Sequence, residues 1–428
     1  MFSTVVNLVV IRLVLILFVI NRSWLDAHLD VKCTYLYGDL EQETFIKPPD
    51  GYRQGLRATT VWRLKKSLYG LHQSGRQWHE CLFQEIGKMG FVPIPGFSCV
   101  FTRNDNVVLL VYVDDIVVFA QDEIVLSELI SDLSSIFEIA NLGPITKLLG
   151  VNFVRNGENI MIHQTDYVET LCQEYDIVPN SLIKVPLHVG EVFQKPATVD
   201  EEETEFPYRS LVGSLLFLAS RTRPDLLFPT ILLSQFNTSH NLKHVKYLKQ
   251  ILQYACNTRN QGIELSRSSD EVLYTYTDAS WASDRDDRKS FSGFVTFLCG
   301  IPLSWGCKKQ SSVALSSMEA EFMGVVHCLK DTRWLSGIYR NFNPVRDDQN
   351  VPVVFSDSLA AINFSKNQME TSATKHIDIR YHFVKDWLAK GFFKLKSVPG
   401  KDNIADVFTK PQSTPTLQKL KSILFWNV

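Results

Sequence analysis

The chain has few cysteines and no recognisable cysteine motif. Its 428 residues include eight cysteines, with no Cys-x-x-Cys pair and no regular spacing. A structural zinc site is usually built from such pairs, and a disulfide framework needs a regular cysteine pattern. The sequence therefore argues against both, and it predicts buried free thiols in a reducing compartment.

The chain also lacks an excess of positive charge. Its 44 lysines and arginines stand against 46 aspartates and glutamates, for a formal net charge of −2. Nucleic-acid-binding domains often carry a basic excess, and the whole-chain balance gives no such support. Basic residues do cluster locally, at Arg57, Arg63, Lys65, Lys66 and Arg76 and again at Arg285, Arg288 and Lys289. Charge clusters are usually solvated faces, so these favour nucleic-acid contact only modestly.

A long uninterrupted hydrophobic run is missing as well. The apolar stretch from Val5 to Ile20 contains Asn7 and Arg12. It is near the lower length limit for a membrane span, and a central arginine costs roughly 2.5–3.5 kcal/mol there. A signal peptide carries its positive charge before the apolar core. We therefore predict a buried helix, no signal peptide and no stable membrane association, with Arg12 reaching solvent or an acidic partner.

What the sequence does contain is a pair of aspartates inside an apolar run. Asp114 and Asp115 interrupt residues 107–120, which are otherwise β-branched, aromatic or aliphatic. The flanks predict two strands, with the acidic pair on the turn between them. Adjacent carboxylates repel each other unless a cation lies between them, which favours a divalent metal site. Aspartate is also common in ordinary turns, so this pattern alone leaves both interpretations open.

The surrounding motifs resemble the polymerase core of copia-type retrotransposon reverse transcriptases. The core motifs occupy residues 28–40, 64–78 and 107–120. Further segments resemble the region after the hairpin, the connecting region and the ribonuclease H domain, at residues 137–150, 208–215, 222–225, 316–321 and 375–380. These motifs keep the family order and cover nearly the whole chain, which makes them far more specific than any single short pattern.

The resemblance implies a fold that is α/β and α+β. We expect a right-hand polymerase palm, followed by a helical connection and a ribonuclease H-like mixed-sheet domain. The expected divisions are a palm and thumb-like region at 1–186, a linker at 187–206, a helical connection at 207–270 and the ribonuclease H-like domain at 271–428. The linker prediction rests on a stretch rich in proline and acidic residues.

For the polymerase, the resemblance implies a metal site built from Asp30, Asp114 and Asp115. Asp30 and Asp114 would bind both metals, Asp115 would be the third carboxylate, and the Val31 carbonyl would also reach a metal. The expected cofactor is Mg²⁺, two per active site, with Mn²⁺ as the alternative. Asp39 competes with Asp30, but it lies beside Gly38 as a turn residue would. Asp30 enters an apolar strand, where a carboxylate without a partner is costly, so we favour Asp30.

The resemblance also implies substrate-binding residues. Tyr35 would close the floor under the incoming sugar and reject a 2′-hydroxyl. Gly70 would permit close approach of the backbone to the nucleotide, and Gln73 and Arg76 would hydrogen-bond the nucleotide or the template. Trp78 is expected in the core.

The implied ribonuclease H site consists of four carboxylates that hold two Mg²⁺ ions. They are Asp278, Glu321, Asp357 and Asp406, each within its own family motif. Glu319 is the rival to Glu321. Two helical positions that are two residues apart point about 200° away from each other, so only one of them can face the metals.

The function implied is an RNA-directed DNA polymerase with ribonuclease H activity. Its substrates would be an RNA template, a DNA primer, RNA–DNA hybrids and deoxynucleoside triphosphates, in the cytoplasm, in virus-like particles or in the nucleus. The chain starts near the helix before Asp30. We therefore expect the fingers, protease and integrase regions to be missing and polymerase activity to be weak. The alternatives are a relic with ribonuclease H activity only, and a non-catalytic nucleic-acid-binding remnant.

Overall fold

The computed structural model describes residues 6–53, 55, 57, 59–196, 206–267, 272–342, 351–366 and 378–425, with only the backbone of residue 378. Val5 and residues 197–205 of the expected linker lie outside these ranges. The chain divides into two compact units, the first ending at Ile145 and the second beginning at Thr146. The functional divisions at residues 186, 206 and 270 stay predictions.

The first unit begins with the expected buried helix. Helix α1 (Leu8–Val14) continues as a π-helical segment over Leu15–Ile20, and the Asn7 side chain caps α1 by accepting a hydrogen bond from the Val9 N–H at 3.0 Å. Arg12 is only 1% exposed. Of the two predicted alternatives for Arg12, solvent or an acidic partner, solvent is therefore wrong, because most residues of α1 and of the segment after it are buried. In the described ranges, no helix has the length and apolar character that crossing a membrane requires.

A six-stranded sheet forms the body of the first unit. Its strands are β1 (Leu25–Val31), β4 (Val92–Ile94), β5 (Phe97–Arg103), β6 (Val107–Tyr112), β7 (Asp115–Ala120) and β8 (Ile139–Asn141). Two further strands, β2 (Phe45–Ile46) and β3 (Trp62–Arg63), form a separate two-stranded sheet. The sheet order is β4-β5-β6-β7-β1-β8. Helices α2 (Ser74–Lys88) and α3 (Glu123–Ile136) contribute apolar side chains to one core with this sheet. Strands β6 and β7 form the predicted hairpin, but only Asp114 lies on its turn, because Asp115 is the first residue of β7 and pairs with Tyr112.

The second unit contains a small sheet and a group of helices. The small sheet has the order β12-β11-β10-β9, and its strands are β9 (Lys147–Leu148), β10 (Val151–Asn156), β11 (Asn159–His163) and β12 (Ile263–Leu265). The helices are α4 (Thr165–Glu174), α5 (Tyr208–Arg221), α6 (Leu227–Ser234) and α7 (Leu242–Asn257). Strand β12 belongs to the stretch expected to be a helical connection, yet it pairs with β11.

A mixed five-stranded sheet completes the second unit, in the order β15-β14-β13-β16-β17. Its strands are β13 (Leu273–Ser280), β14 (Phe291–Leu298), β15 (Ile301–Lys309), β16 (Val353–Ser356) and β17 (Lys394–Ser397). The helices are α8 (Ser317–Phe342), α9 (Leu359–Lys366), α10 (Asp378–Ala389) and α11 (Thr414–Leu424). Strands β13, β16 and β17 run parallel, while β13, β14 and β15 are antiparallel. The chain thus mixes helices and sheets as predicted; the order of palm and connection stays a prediction.

Two candidate carboxylate sites

The first candidate site lies where β1 meets the β6–β7 hairpin. Strands β1 and β7 pair in antiparallel register, with Asp30 directly opposite Asp115. The Val31 N–H donates to the Asp114 carbonyl at 2.9 Å. Directly opposed residues of an antiparallel pair share one face, with Cβ atoms roughly 4.5–5.5 Å apart. The structure therefore brings together residues that are far apart in sequence.

The turn that carries Asp114 has a strained backbone and a specific support. Val113 has a φ of +54°, a left-handed conformation that β-branched residues rarely adopt. The Trp78 indole N–H donates to the Val113 carbonyl at 2.8 Å. Trp78 is buried as predicted, but its contact with the aspartate turn was not anticipated from the sequence. It depends on the tertiary packing of α2.

Each carboxylate of the first site already has a donor within the chain. Lys32 donates to Asp30, and the Thr34 hydroxyl donates to Asp114. His28 Nε2 lies 2.6 Å from Asp115 Oδ1. These three donors were missed from the sequence. The alternation of His28, Asp30 and Lys32 along one strand face is the signal that could have found two of them.

Asp39, the rival to Asp30, lies elsewhere. Its side chain is 86% exposed and forms a salt bridge of 2.5 Å with Lys66. An exposed, paired carboxylate of this kind is an ordinary surface feature. The geometry therefore supports Asp30 over Asp39.

The predicted nucleotide-binding residues lie in the same unit. Tyr35 and Tyr69 have ring centroids 4.6 Å apart, and burial, with a further contribution from Asp114, raises the pKa of Tyr35. Gly70 has a φ of +93°, which favours glycine. Gln73 is the residue before α2. Arg76, predicted to contact a nucleotide or template, instead has salt bridges to Glu41 at 2.5 Å and to Glu80 at 3.8 Å.

The second candidate site gathers carboxylates from three distant segments. Asp278 lies on β13, Asp357 follows β16, and Asp406 belongs to a 3₁₀ segment, Ile404–Phe408. Each offers an oxygen, and the three oxygens lie within 4.8 Å of one another. Asp278 and Asp357 approach because β13 and β16 are parallel neighbours. The Asn403 side chain holds the third segment in place by donating to the Thr277 carbonyl at 3.1 Å.

Glu321 adds a fourth carboxylate to this cluster. Burial, and then the charges of Asp278 and Asp357, raise the pKa of Glu321 to about 9. Burial, and then Asp278, raise the pKa of Asp406 to about 6 and also raise the pKa of Asp357. Two buried oxygens, Glu321 Oε2 and Asp357 Oδ1, have no hydrogen-bond partner among the described residues.

Glu319 behaves differently from Glu321. Its Oε2 accepts a hydrogen bond of 2.8 Å from the Leu315 N–H, and its own N–H donates to the Ser316 hydroxyl oxygen at 3.2 Å. These contacts stabilise the start of α8. The structure thus places Glu321 beside the aspartates and uses Glu319 for capping.

Two further residues of the second site were missed from the sequence. The Thr409 hydroxyl donates to Asp278, and Lys410 Nζ lies 2.8 Å from Asp406 Oδ1. Burial opposes the charge of Lys410, but Asp278, Asp406 and Asp357 outweigh it and raise the pKa of Lys410. The four-residue spacing between Asp406 and Lys410 could have indicated this pair.

The donor set of the second site fits divalent cations. Four carboxylates share a largely buried space with one lysine, and two of their oxygens lack partners in the described part of the chain. Like charges at this distance are stabilised by a cation, and Mg²⁺ prefers carboxylate oxygens as ligands. The cluster therefore offers the number and type of ligands that a divalent cation takes in proteins.

Comparison with known proteins identifies relatives over nearly the whole chain. The family profile described as "Reverse transcriptase (RNA-dependent DNA polymerase)" matches residues 1–189. The retrovirus-related Pol polyprotein from transposon TNT 1-94 of Nicotiana tabacum is 33% identical over 423 residues, which is 96% of this chain and 31% of that protein. The putative transposon Ty5-1 protein of Saccharomyces cerevisiae is 29% identical over 69% of this chain and 97% of its own length.

The long relatives extend well beyond this chain, which spans about 30% of the length of the Pol polyproteins it matches. Among solved structures, LC11-RNase H1 from compost is similar to 33% of this chain and to 94% of its own, at 14% identity and a TM-score of 0.26. A likeness at so low a TM-score does not bear on the function of either site.

Proposed function

Because this chain belongs to the copia-type retrotransposon Pol family and carries its reverse transcriptase region, we propose that it copies a nucleic-acid template into DNA and cuts RNA in RNA–DNA hybrids. Its substrates would be an RNA template, a DNA primer, deoxynucleoside triphosphates and the hybrid product. The single observation that carries the proposal is the convergence of Asp278, Asp357 and Asp406 to within 4.8 Å.

For the cutting reaction, Asp278, Glu321, Asp357 and Asp406 would hold two Mg²⁺ ions. Bound there, the ions would stabilise the attacking and leaving oxygens of an in-line displacement. Thr409 would fix the orientation of Asp278 by its hydrogen bond. Lys410 would balance part of the negative charge and orient Asp406.

For DNA synthesis, Asp30, Asp114 and Asp115 would hold the metals, with the Val31 carbonyl beside them. The register that sets Asp30 opposite Asp115 supports this assignment. Tyr35 lies next to Asp114, where it would form the floor under the sugar of an incoming nucleotide. Gly70, Gln73 and Arg76 would border the same space, and Arg76 would have to exchange its contact with Glu41 for a substrate contact.

A gel assay with the purified chain tests the proposal. A 5′-labelled RNA strand in an RNA–DNA hybrid should be cut with Mg²⁺ and left whole with a chelator. Glu321→Gln should abolish cutting, whereas Glu319→Gln, the matched change two residues away, should retain it. No cutting by the unmodified chain, or equal loss in both variants, would refute the assignment of the second site.

A further inference from the structure

A cavity of about 460 Å³ opens in the second unit beside the second carboxylate site. Thr409 and Lys410 line the cavity, and both also contact that site. The Thr409 hydroxyl donates to Asp278, and Lys410 Nζ lies 2.8 Å from Asp406. The cavity thus adjoins the second carboxylate site through Thr409 and Lys410.

Two exposed arginines line the cavity. Arg285 and Arg288 both belong to the loop between β13 and β14. Within the ranges that the structure describes, neither forms a salt bridge with a carboxylate. Guanidinium groups bind phosphate through two parallel hydrogen bonds, so two unpaired arginines favour an anionic ligand.

The carboxylates that line the same cavity are already neutralised. Asp284 is paired with Lys309 at 2.7 Å, and Glu191 is paired with Lys243 at 3.1 Å. Their charges therefore do not cancel those of Arg285 and Arg288. Arg285 and Arg288 thus keep no carboxylate partner in the described lining of the cavity, although the chain as a whole has a net charge of −2.

The loop that carries the arginines is fixed by its own hydrogen bonds. Asp284 Oδ1 accepts from the N–H groups of Asp286 at 2.9 Å and Asp287 at 3.2 Å. The Arg288 N–H donates to the Asp284 carbonyl at 3.1 Å. The Ala282 N–H donates to the Ser290 hydroxyl at 3.0 Å. A loop ordered in this way loses little conformational freedom when a ligand binds.

Trp281 provides a stacking surface at the same loop. Its side chain is 52% exposed, yet its indole N–H donates to the Ala314 carbonyl at 3.0 Å. An exposed ring held in one orientation suits a nucleobase or a sugar, because base stacking on aromatic rings is favourable and tolerant of sequence. Phe193, Phe228 and Phe291 line the cavity with further apolar surface.

Building on the proposed cutting of hybrids, we propose that this cavity binds a backbone phosphate of the nucleic-acid strand held at the second carboxylate site. Arg285 and Arg288 contact the phosphate, and Trp281 packs against the adjacent nucleoside. The cavity thereby sets which phosphodiester lies at the carboxylates. Arg285, Arg288 and Trp281 are substrate-binding residues and take no part in bond breaking.

Binding is tested with a fluorescent RNA–DNA hybrid and the full chain carrying Asp357→Asn, so that the hybrid stays intact. On that background, Arg285→Gln with Arg288→Gln should weaken binding on the order of tenfold. It should also lower the slope of log K against log salt by about one, because a single phosphate loses the groups that neutralise it. The matched control is Lys147→Gln with Arg209→Gln, which removes the same charge from residues that do not line the cavity. The control should change the slope by much less.

A substrate scan locates the phosphate and remains informative even if the arginine variant is unstable. Neutral methylphosphonates replace single phosphates, one at a time, along each strand. With the parent arginines, one or two positions near the cut should each weaken binding. With both arginines replaced, the same positions should have little further effect. In chains with an intact carboxylate site, replacing both arginines should also spread the cut over neighbouring positions.

The outcomes separate this inference from the proposed function. Normal cutting with equal binding by the arginine and control variants would overturn the cavity assignment and leave the cutting function intact. Weakened binding and an altered methylphosphonate profile in a chain that never cuts would support the cavity and count against the function. A mononucleotide at low millimolar concentration could also displace the hybrid. If it does so equally well from the chain with both arginines and from the arginine variant, the assignment of the cavity to a strand phosphate is overturned.

Discussion

The two carboxylate sites differ in how their charges are balanced before any ligand binds. In the first unit, Asp30, Asp114 and Asp115 each contact a donor from the chain, namely Lys32, Thr34 and His28. In the second unit, four carboxylates share one lysine, and Glu321 and Asp357 each keep a buried oxygen without a partner in the described ranges. One lysine therefore faces three carboxylates at the first site and four at the second, and only the second site has buried carboxylate oxygens that lack a partner in the described ranges.

This difference teaches that acidic clusters of similar composition can have opposite effects on stability. An aspartate with a donor contributes a charge-assisted hydrogen bond to the fold. A buried carboxylate beside other carboxylates is destabilised in its charged form, and burial followed by repulsion from Asp278 raises the pKa of Glu321 and of Asp406. We therefore expect the metal-free second site to destabilise its unit and the first site to stabilise its own.

The largest expected effect is on catalysis and is selective for the site. Asp357→Asn should lower the rate of hybrid cutting by at least about a hundredfold, because a charged group that stabilises the transition state is lost. Asp115→Asn should leave cutting unchanged, since the sites use separate carboxylates. The measurement is the initial rate of RNA cleavage for both variants. Equal losses would show that the two sites are not independent.

The next largest effect is on the pH dependence of stability in the absence of metal. The pKa of Glu321 in the folded chain is about 9, above its ordinary value of 4.5. Between these values the folded chain holds a proton that the unfolded chain has lost. The stabilising contribution of this Glu321 proton to the folded chain is complete below about pH 4.5 and is lost as the pH rises toward about 9. The free energy of unfolding should therefore fall by at most about 1.4 kcal/mol per pH unit from this group.

Chemical denaturation in a chelator between pH 5 and pH 8 measures this dependence. Glu321→Gln should flatten it, because the glutamine has no proton to lose. Glu319→Gln is the matched control and should keep the slope of the unmodified chain. A slope that Glu321→Gln does not change would contradict the repulsion described for the second site.

A smaller effect is expected from the support of the first site. Trp78→Phe removes the hydrogen bond to the Val113 carbonyl and should destabilise the first unit by about 1 kcal/mol. The rate of primer extension should fall by more than the loss of folded protein alone would cause, because the turn that carries Asp114 loses the hydrogen bond that supports it. Hybrid cutting is the internal control and should not change. If extension falls only in proportion to the folded fraction, Trp78 has a structural role alone.

The smallest effect tests whether Lys32 competes with a cation. Lys32 donates to Asp30, so Lys32→Gln should strengthen Mn²⁺ binding at the first site, by about two- to fivefold. Titration calorimetry on an Asp357→Asn background separates this site from the second one. Weaker Mn²⁺ binding by Lys32→Gln would show that the lysine organises Asp30 for metal instead.

Much of the first site could be predicted from the sequence, because local pattern determines it. The β-branched flanks of Asp114 and Asp115 specify two strands, and the hairpin connects them. The donors could not be predicted in the same way. His28 reaches Asp115 through the register of β1 against β7, and Thr34 reaches Asp114 from the 3₁₀ segment that follows β1.

Burial was the other property that local pattern could not supply. Arg12 interrupts an apolar stretch, and an arginine in such a place is expected to reach solvent. In the structure Arg12 is only 1% exposed, and most of its apolar neighbours along the helix are also buried. In the second unit, family motifs indicated four carboxylates, but only the fold shows that Glu319 caps α8 while Glu321 lies beside the aspartates.

The contact between Asn403 and Thr277 has a consequence for the timing of synthesis. These residues are 126 positions apart in sequence, and their hydrogen bond brings the segment of Asp406 to the end of β13. A ribosome must therefore release the C-terminal part of the unit before the second site can assemble. A nascent chain that still lacks this segment has an incomplete carboxylate set, so the proposed nuclease activity would begin only after translation of the unit is finished.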